Sequence, residues 1–121
     1  MKFFKRLFRR PAILLVTLWA KRTYEQGVRA AEERHRKEKC TIYLAANTFH
    51  PDRLVTYTRD SFRLQKKVFG YHARLLTMNT LKEGCYYYTA DKYGNNGMRR
   101  RDREIRRQAF IKERLTLAKL I

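Results

Sequence analysis

Cysteine is scarce in this chain of 121 residues, which limits what can hold the fold together. Its two cysteines, Cys40 and Cys85, are far fewer than a secreted domain held together by disulfides needs. There is no Cys-x-x-Cys pair, and the three histidines, His35, His50 and His72, are scattered, so no zinc site is predicted. We expect Cys40 and Cys85 to serve as small apolar residues in strands.

The sequence also lacks the patterns that usually accompany catalysis. It has no glycine-rich phosphate loop, and no serine or cysteine stands in a nucleophile motif. His50 and Asp52 are close together, but Asp52 follows Pro51 in a predicted turn, where aspartate commonly bonds the backbone. The acidic residues of the central region are too few and too scattered to hold a metal ion. The sequence therefore predicts a protein that is not an enzyme and that uses no cofactor or metal.

Acidic residues are scarce throughout, since eleven Asp and Glu accompany twenty-nine Lys and Arg, for a net charge of +18. Residues 1–39 carry +8 of this charge and residues 97–121 carry +6, which leaves +4 for residues 40–96. Repulsion on this scale is normally balanced by a partner of opposite charge. The candidates are nucleic acid, an anionic membrane face and an acidic protein surface, and a pI near 10.5 with clustered arginine favours nucleic acid.

No apolar run is long enough to cross a membrane, because residues 12–20 supply about half of the ~20 residues that a bilayer requires. The residues before them, MKFFKRLFRR, alternate apolar and basic side chains, and Leu18-Trp19-Ala20 is a poor signal-peptide cleavage site. Three interpretations stay open: an amphipathic helix on a membrane surface, a helix anchored against a protein partner, and a helix that is part of the protein's own core. The anchor residues would be Phe3, Phe4, Leu7, Phe8, Leu15 and Trp19.

The hydrophobic period predicts an α+β fold in the order α–β–β–α–β–β–α, with two β-hairpins and a short helix between long basic helices. Pro11 is well placed to begin a helix over residues 11–39, although the apolar spacing also fits one kinked helix that starts earlier. In the second half of that helix we expect only Tyr24, Val28 and Ala31 to be buried. The predicted organisation is a basic helical arm at 1–39, a small α+β core at 40–96 and an arginine-rich helix at 97–121.

The central region reads as alternating strands and turns. Residues 41–44 and 53–58 are β-branched and aromatic and predict a hairpin. Asp60 or Ser61 is expected to cap a short helix that ends at Gly70. Residues 71–78 and 85–90 predict the second hairpin, and residues 98–121 predict the final helix.

The start of that final helix carries the strongest functional signal. Six arginines fall within nine positions and cover most of the helix circumference: Arg99, Arg100, Arg101, Arg103, Arg106 and Arg107. Guanidinium groups bind phosphate through two parallel hydrogen bonds, and cations at a helix N-terminus oppose its dipole, so an external anion is expected. The alternative is a solvated face balanced by Asp102, Glu104 and Glu113. Lys5, Arg6, Arg9 and Arg10 form a second candidate phosphate-binding group.

Three consecutive tyrosines, Tyr86, Tyr87 and Tyr88, lie on a predicted strand, where alternate residues face opposite sides. One side is expected to be core, and the other could stack on bases. Together these features predict a structural component of a nucleic-acid-containing assembly, a virion or a ribosome, that contacts phosphate and neighbouring protein subunits. The alternatives are a peripheral membrane protein held by residues 1–20, and a small regulator that binds an acidic protein surface.

Overall fold

The computed structural model of the protein describes residues 2–46, 53–61, 63–64 and 82–121, with side chains from residue 9 onward. Five elements in this part of the chain organise the fold: helix α1 (Lys2–Glu38), strands β1 (Tyr43–Ala46), β2 (Leu54–Tyr57) and β3 (Tyr87–Tyr88), and helix α2 (Arg100–Leu117). The α+β class is therefore confirmed, with a long helix at each end of the chain and a three-stranded antiparallel sheet between them.

Helix α1 runs without a break through Pro11, so the prediction that Pro11 begins the helix is wrong. The alternative, one helix that starts before Pro11, is confirmed. Proline fixes a helical φ, but it lacks the N–H that would bond the carbonyl of Leu7 and its ring crowds that carbonyl, which together cost about 3 kcal/mol. The leucines, arginines and alanines around it favour helix strongly enough to offset that loss. The helix ends where Lys39 adopts a φ of 53° and its N–H bonds the carbonyl of His35 at 2.7 Å.

Strand β1 is the centre of the sheet, in the order β2-β1-β3. Tyr43 lies opposite Tyr57 in β2 and opposite Tyr88 in β3, both in antiparallel register. Thr89 extends the β1–β3 pairing, because its hydroxyl accepts from the N–H of Ile42 at 2.8 Å and its own N–H bonds the Ile42 carbonyl at 3.0 Å. The predicted hairpin partner of residues 85–90, residues 71–78, lies outside the described residues.

The two cysteines are free thiols that stand just before strands rather than in them, which corrects their expected placement. Cys85 is buried and precedes β3, so it does act as a small apolar core residue. Cys40 is half-buried in the turn between α1 and β1, where its carbonyl lies 2.8 Å from Nδ1 of His35. The turn, rather than the strand pattern, determines the position of Cys40.

The helix predicted after β2 begins earlier than expected. Residues 59–61 and 63–64 are helical, and the rest of the predicted helix, with its Gly70 terminus, lies outside the described residues. The N–H of Thr58 donates to the Ser61 hydroxyl at 2.8 Å, and the N–H of Ser61 donates to the Thr58 hydroxyl at 3.1 Å. This reciprocal pair is a capping box, so Thr58 caps the helix and the assignment of Asp60 or Ser61 was wrong.

Helices α1 and α2 pack antiparallel, and the sheet completes one core with them. Arg9 reaches the Leu120 carbonyl near the end of α2, whereas Glu25 meets Arg103 near its start. The core residues are Ala20, Tyr24, Val28, Ala31, Ile42, Leu44, Tyr87, Phe110, Ile111 and Leu115. The expected burial of Tyr24, Val28 and Ala31 is confirmed.

One glycine sets how closely α1 approaches the sheet. A Cβ added to Gly27 would lie 2.9 Å from Cδ2 of Leu44, which is closer than two carbons tolerate, and Leu44 is itself completely buried. The absence of a side chain at Gly27 therefore lets the middle of α1 rest on β1. This contact fixes the position of Glu25, two residues earlier on the same helix.

Candidate nucleic-acid interface

A short polar loop positions the arginine-rich start of α2. The Asp91 carboxylate accepts from the backbone N–H groups of Tyr93 at 2.8 Å and Asn95 at 3.0 Å. These bonds hold the pKa of Asp91 below its ordinary value, and the bond from the Asn95 N–H has the largest effect. Gly94 and Asn96 take φ values of 78° and 62°, which these two residue types tolerate best. The loop thus delivers the chain into α2 at a defined angle.

The first turn of α2 presents three exposed guanidinium groups. Arg99 occupies the N-cap position but makes no capping bond with its side chain, so the first N–H groups of the helix receive no side-chain acceptor there. Arg100 and Arg101 follow and are exposed, and the acid of this first turn is Asp102. Within the described part of the chain, no ion pair involves Arg99, Arg100 or Arg101. This end of the helix therefore gathers positive charge on top of its own positive dipole end.

The next arginines of α2 face the protein instead of solvent. Arg103 donates to a carboxylate oxygen of Glu25 at 2.8 Å and lies 5.7 Å from the ring centre of Tyr87. Arg107 lies 3.6 Å from the other Glu25 oxygen and 2.9 Å from Glu104. Of the three acids expected to balance these arginines, Glu104 pairs with Arg107, whereas Glu113 accepts from Tyr86 and Asp102 is in no ion pair among the described residues. The main partner is Glu25, and its contacts tie α2 to α1.

Arg106 is also engaged internally, through backbone oxygens. Its Nη1 donates to the carbonyls of Cys85 at 2.6 Å and Lys82 at 2.8 Å, and its guanidinium lies 5.6 Å from the ring centre of Tyr88. Arg106 therefore fastens α2 to the chain that leads into β3. The six arginines divide into three that face solvent and three that hold the fold.

A pocket of about 310 Å³ opens where the two helices meet, and it is lined by Glu25, Arg100, Arg103, Glu104 and Arg107. Nε of Arg107 is buried and has no hydrogen-bond partner among the described residues. Arg22 and Arg29 are exposed on α1 at positions i−3 and i+4 from Glu25, so they share the side of the helix that carries this carboxylate. We call the exposed arginines of these two helix segments, Arg22, Arg29, Arg99, Arg100 and Arg101, the junction surface; among them Arg100 lines the pocket.

The second candidate group lies at the other end of the helix pair. Arg9 donates to the Leu120 carbonyl at 3.1 Å, and Arg10 is exposed. The side chains of Lys5 and Arg6 lie outside the described residues. Because thirteen residues of α1 at 1.5 Å each separate Arg9 from Arg22, about 20 Å of helix lies between Arg9 and the nearest part of the junction surface along α1. Arg9 and Arg10 therefore form a patch of their own.

Part of the predicted anchor is exposed on α1. Leu15 and Trp19 expose 67% and 46% of their surface, and Leu14 and Leu18 beside them expose 59% and 54%. These four residues alternate at one- and three-residue spacing, so they share one side of the helix. The side chains of Phe3, Phe4, Leu7 and Phe8 lie outside the described residues. We call Leu14, Leu15, Leu18 and Trp19 the apolar face of α1.

The three consecutive tyrosines are committed to the interior of the protein. Tyr87 is buried and its hydroxyl donates to Glu32, while Tyr86 packs edge-on against Phe110 at 5.1 Å and donates to Glu113. Burial, reinforced by each carboxylate, raises the pKa of both hydroxyls. The face carrying Tyr88 is covered by Lys82 at 5.0 Å and by Arg106. These contacts account for all three rings without stacked bases.

Sequence reasoning missed several residues of this surface. Arg22, Arg29 and Arg36 are exposed on one side of α1 at seven-residue spacing, a period of nearly two turns that could have been found in the sequence. Glu25 was missed because its partners are 78 and 82 positions away. No local pattern signals such a long-range ion pair.

No family model matches the chain, and no curated protein or solved structure is significantly similar to it. Among the described residues, no three His, Cys, Asp or Glu side chains are grouped so that they could hold a metal ion. Neither helix, over the part of the chain that was searched, combines the length and apolar content needed to cross a bilayer.

Proposed function

We propose that the protein is a non-enzymatic structural component of a nucleic-acid-containing assembly, a virion or a ribosome, and that its junction surface neutralises phosphate. The observation that carries the proposal is the set of five exposed arginines at the start of α2 and on α1 beside Glu25, none of them in an ion pair within the described residues. Among these five, Arg100 lines the pocket. Glu25 pairs with Arg103 and Arg107, and Glu104 pairs with Arg107, which leaves Asp102 as the one acid of the first turn of α2. One carboxylate does not balance the exposed guanidinium groups, so an external anion would stabilise them.

The inward arginines support this proposal by holding the exposed ones in place. Arg103 and Arg107 fix the first half of α2 against Glu25, so Arg100 lines the pocket from a helix that is held in place. Fixed guanidinium groups lose less side-chain entropy when they bind phosphate. No base-reading motif accompanies them, so binding is expected to be independent of sequence.

The test is a salt titration of binding to labelled duplex DNA and to RNA, followed by fluorescence anisotropy. Each phosphate contact contributes about −0.9 to the log–log slope on duplex DNA, so replacing Arg100 and Arg101 with Gln should reduce its magnitude by about 1.8. The matched control replaces Lys112 and Lys119, both exposed on or just after the same helix, with Gln. Equal loss in the two variants would show that only total charge matters, and a slope near zero in the parent would refute nucleic-acid binding.

For the fold, we also propose the two-hairpin arrangement expected from the sequence, in which residues 71–78 pair with the free edge of β3. Within the described residues β3 pairs on one side only, with β1, so its other edge can accept a strand. Slow amide exchange at the outward N–H groups of residues 85–90 would support the fourth strand. Fast exchange there would exclude it.

A further inference from the structure

We propose that the apolar face of α1 binds the headgroup–acyl boundary of an anionic lipid bilayer, lying along the membrane and not through it. The proposal does not rest on the phosphate-binding function, since it concerns apolar side chains, although Arg22 of the junction surface also lies at the rim of this patch. It starts from exposure: Leu14, Leu15, Leu18 and Trp19 each leave about half or more of their surface in solvent. Single exposed leucines are ordinary, but four adjoining large apolar residues form a patch.

The opposite side of the same turns is already occupied. Ile13 and Val16 pack against the core and Ala20 lies within it, so the helix is held to the body of the protein by that side. Residues 12–20 are therefore apolar all round although the interior covers only one side. The apolar face of α1 has no covering among the described residues and points away from the core.

The charges around the patch identify its partner. Arg10 is exposed before it, Lys21 and Arg22 are exposed after it, and the first acidic residue of the chain is Glu25. A complementary surface must be apolar at its centre and anionic at its rim. An anionic bilayer has this arrangement, because lipid tails accept leucine, the interface accepts tryptophan, and headgroups pair with arginine and lysine. Nucleic acid supplies the charge without the apolar centre.

The orientation follows from the fold. Because the core side of α1 is fixed to α2 and the sheet, α1 can contact a bilayer only lengthwise, with Leu14 and Leu18 toward the acyl chains. The described helices do not meet the requirements for crossing a membrane, which agrees with this placement. Amphipathic helices of this kind insert their apolar side about 5–10 Å into the boundary.

The chain carries its own probe, since Trp19 is its single tryptophan. Full-length protein is mixed with vesicles of phosphatidylcholine alone or of phosphatidylcholine with phosphatidylserine, and Trp19 emission is recorded. We expect a blue shift and quenching by brominated acyl chains with the anionic vesicles only. Unchanged emission would overturn the proposal, and so would an equal blue shift on adding RNA without lipid. A +18 protein will collect on anionic vesicles by charge alone, so insertion at Trp19 is the decisive signal.

A pair of variants separates insertion from electrostatic attraction. L15Q/L18Q removes two exposed leucines, and I105Q/L117Q removes two equally exposed apolar residues from α2, at 58% and 64%. At about 0.5 M salt, surface charges are screened, and L15Q/L18Q should then bind anionic vesicles at least about tenfold more weakly than the parent. The control I105Q/L117Q should bind them as tightly as the parent does. Equal affinities in all three proteins would refute the proposal. If L15Q/L18Q does not fold, the Trp19 signal of the parent still decides the question.

Discussion

Replacing Tyr24 with Phe should destabilise the protein by a measurable and specific amount. Tyr24 is completely buried at the meeting point of α1, β3 and α2, and its ring centre lies 6.2 Å from that of Phe110. Its hydroxyl donates to the Tyr86 carbonyl at 2.7 Å and lies 3.3 Å from the Arg103 carbonyl. Phenylalanine keeps the ring packing but removes the donor, so a buried carbonyl loses its partner. That loss costs about 1–2 kcal/mol.

The expected change in melting temperature follows from the size of the chain. Unfolding entropy is about 2.1 cal/mol/K per residue, so 121 residues give ~0.25 kcal/mol/K and a decrease of about 4–8 °C. Circular dichroism or calorimetry would measure it, with Tyr93→Phe as the control, because Tyr93 is 74% exposed. If Tyr24→Phe has the same melting temperature as the parent, the hydrogen bond from Tyr24 to the Tyr86 carbonyl does not help hold the helices to the sheet, and this prediction is refuted.

Three further perturbations follow from other contacts. Gly27→Val should lower the free energy of unfolding, measured in urea, by about 1–3 kcal/mol, because the valine side chain would overlap the buried Leu44. A variant as stable as the parent would show that α1 can move away from β1. The free energy of unfolding should fall as pH rises from about 10, because burial raises the pKa of Tyr24 to about 12 and the folded state keeps a hydroxyl proton that the unfolded chain releases. Phenolate absorbance that titrates in one step near 10 would contradict this. Asp91→Ala should lower the melting temperature at pH 7 but not near pH 2. The pKa of Asp91 is lowered in the folded state, so its ionised carboxylate stabilises the fold only above the pH at which it takes up a proton. An equal decrease at both pH values would exclude the ionised group as the cause.

Local patterns predicted the elements of this fold better than their boundaries. Period and composition were sufficient for the long helices and for the residues of α1 that are buried, Tyr24, Val28 and Ala31. Pro11 misled the prediction because a proline is often a first helical residue, while here the surrounding helix formers continue through it. Thr58 was taken for the end of a strand, although it also caps the next helix through Ser61.

The arginine cluster shows why a functional surface is harder to predict than an element. Six arginines that cover most of a helix circumference were all predicted to bind an external anion. Half of them do face the protein, because Glu25 and the carbonyls of Lys82 and Cys85 receive them. These acceptors lie on other elements, and folding alone brings them to α2. The sequence could therefore indicate a basic helix, but not which of its guanidinium groups remain for a partner.

The antiparallel packing of α1 on α2 also constrains the order of events when the chain folds. The contacts that close the core join residues far apart in sequence, up to the 111 positions between Arg9 and Leu120. Contacts of such high separation slow folding, since a long loop must close before they stabilise anything. During synthesis, the side of α1 that packs on α2 stays uncovered until α2 has left the ribosome, although β1 and β2 can pack on α1 earlier. Until then, the side of Tyr24 that packs against Phe110 is open to water, to chaperones or to another chain.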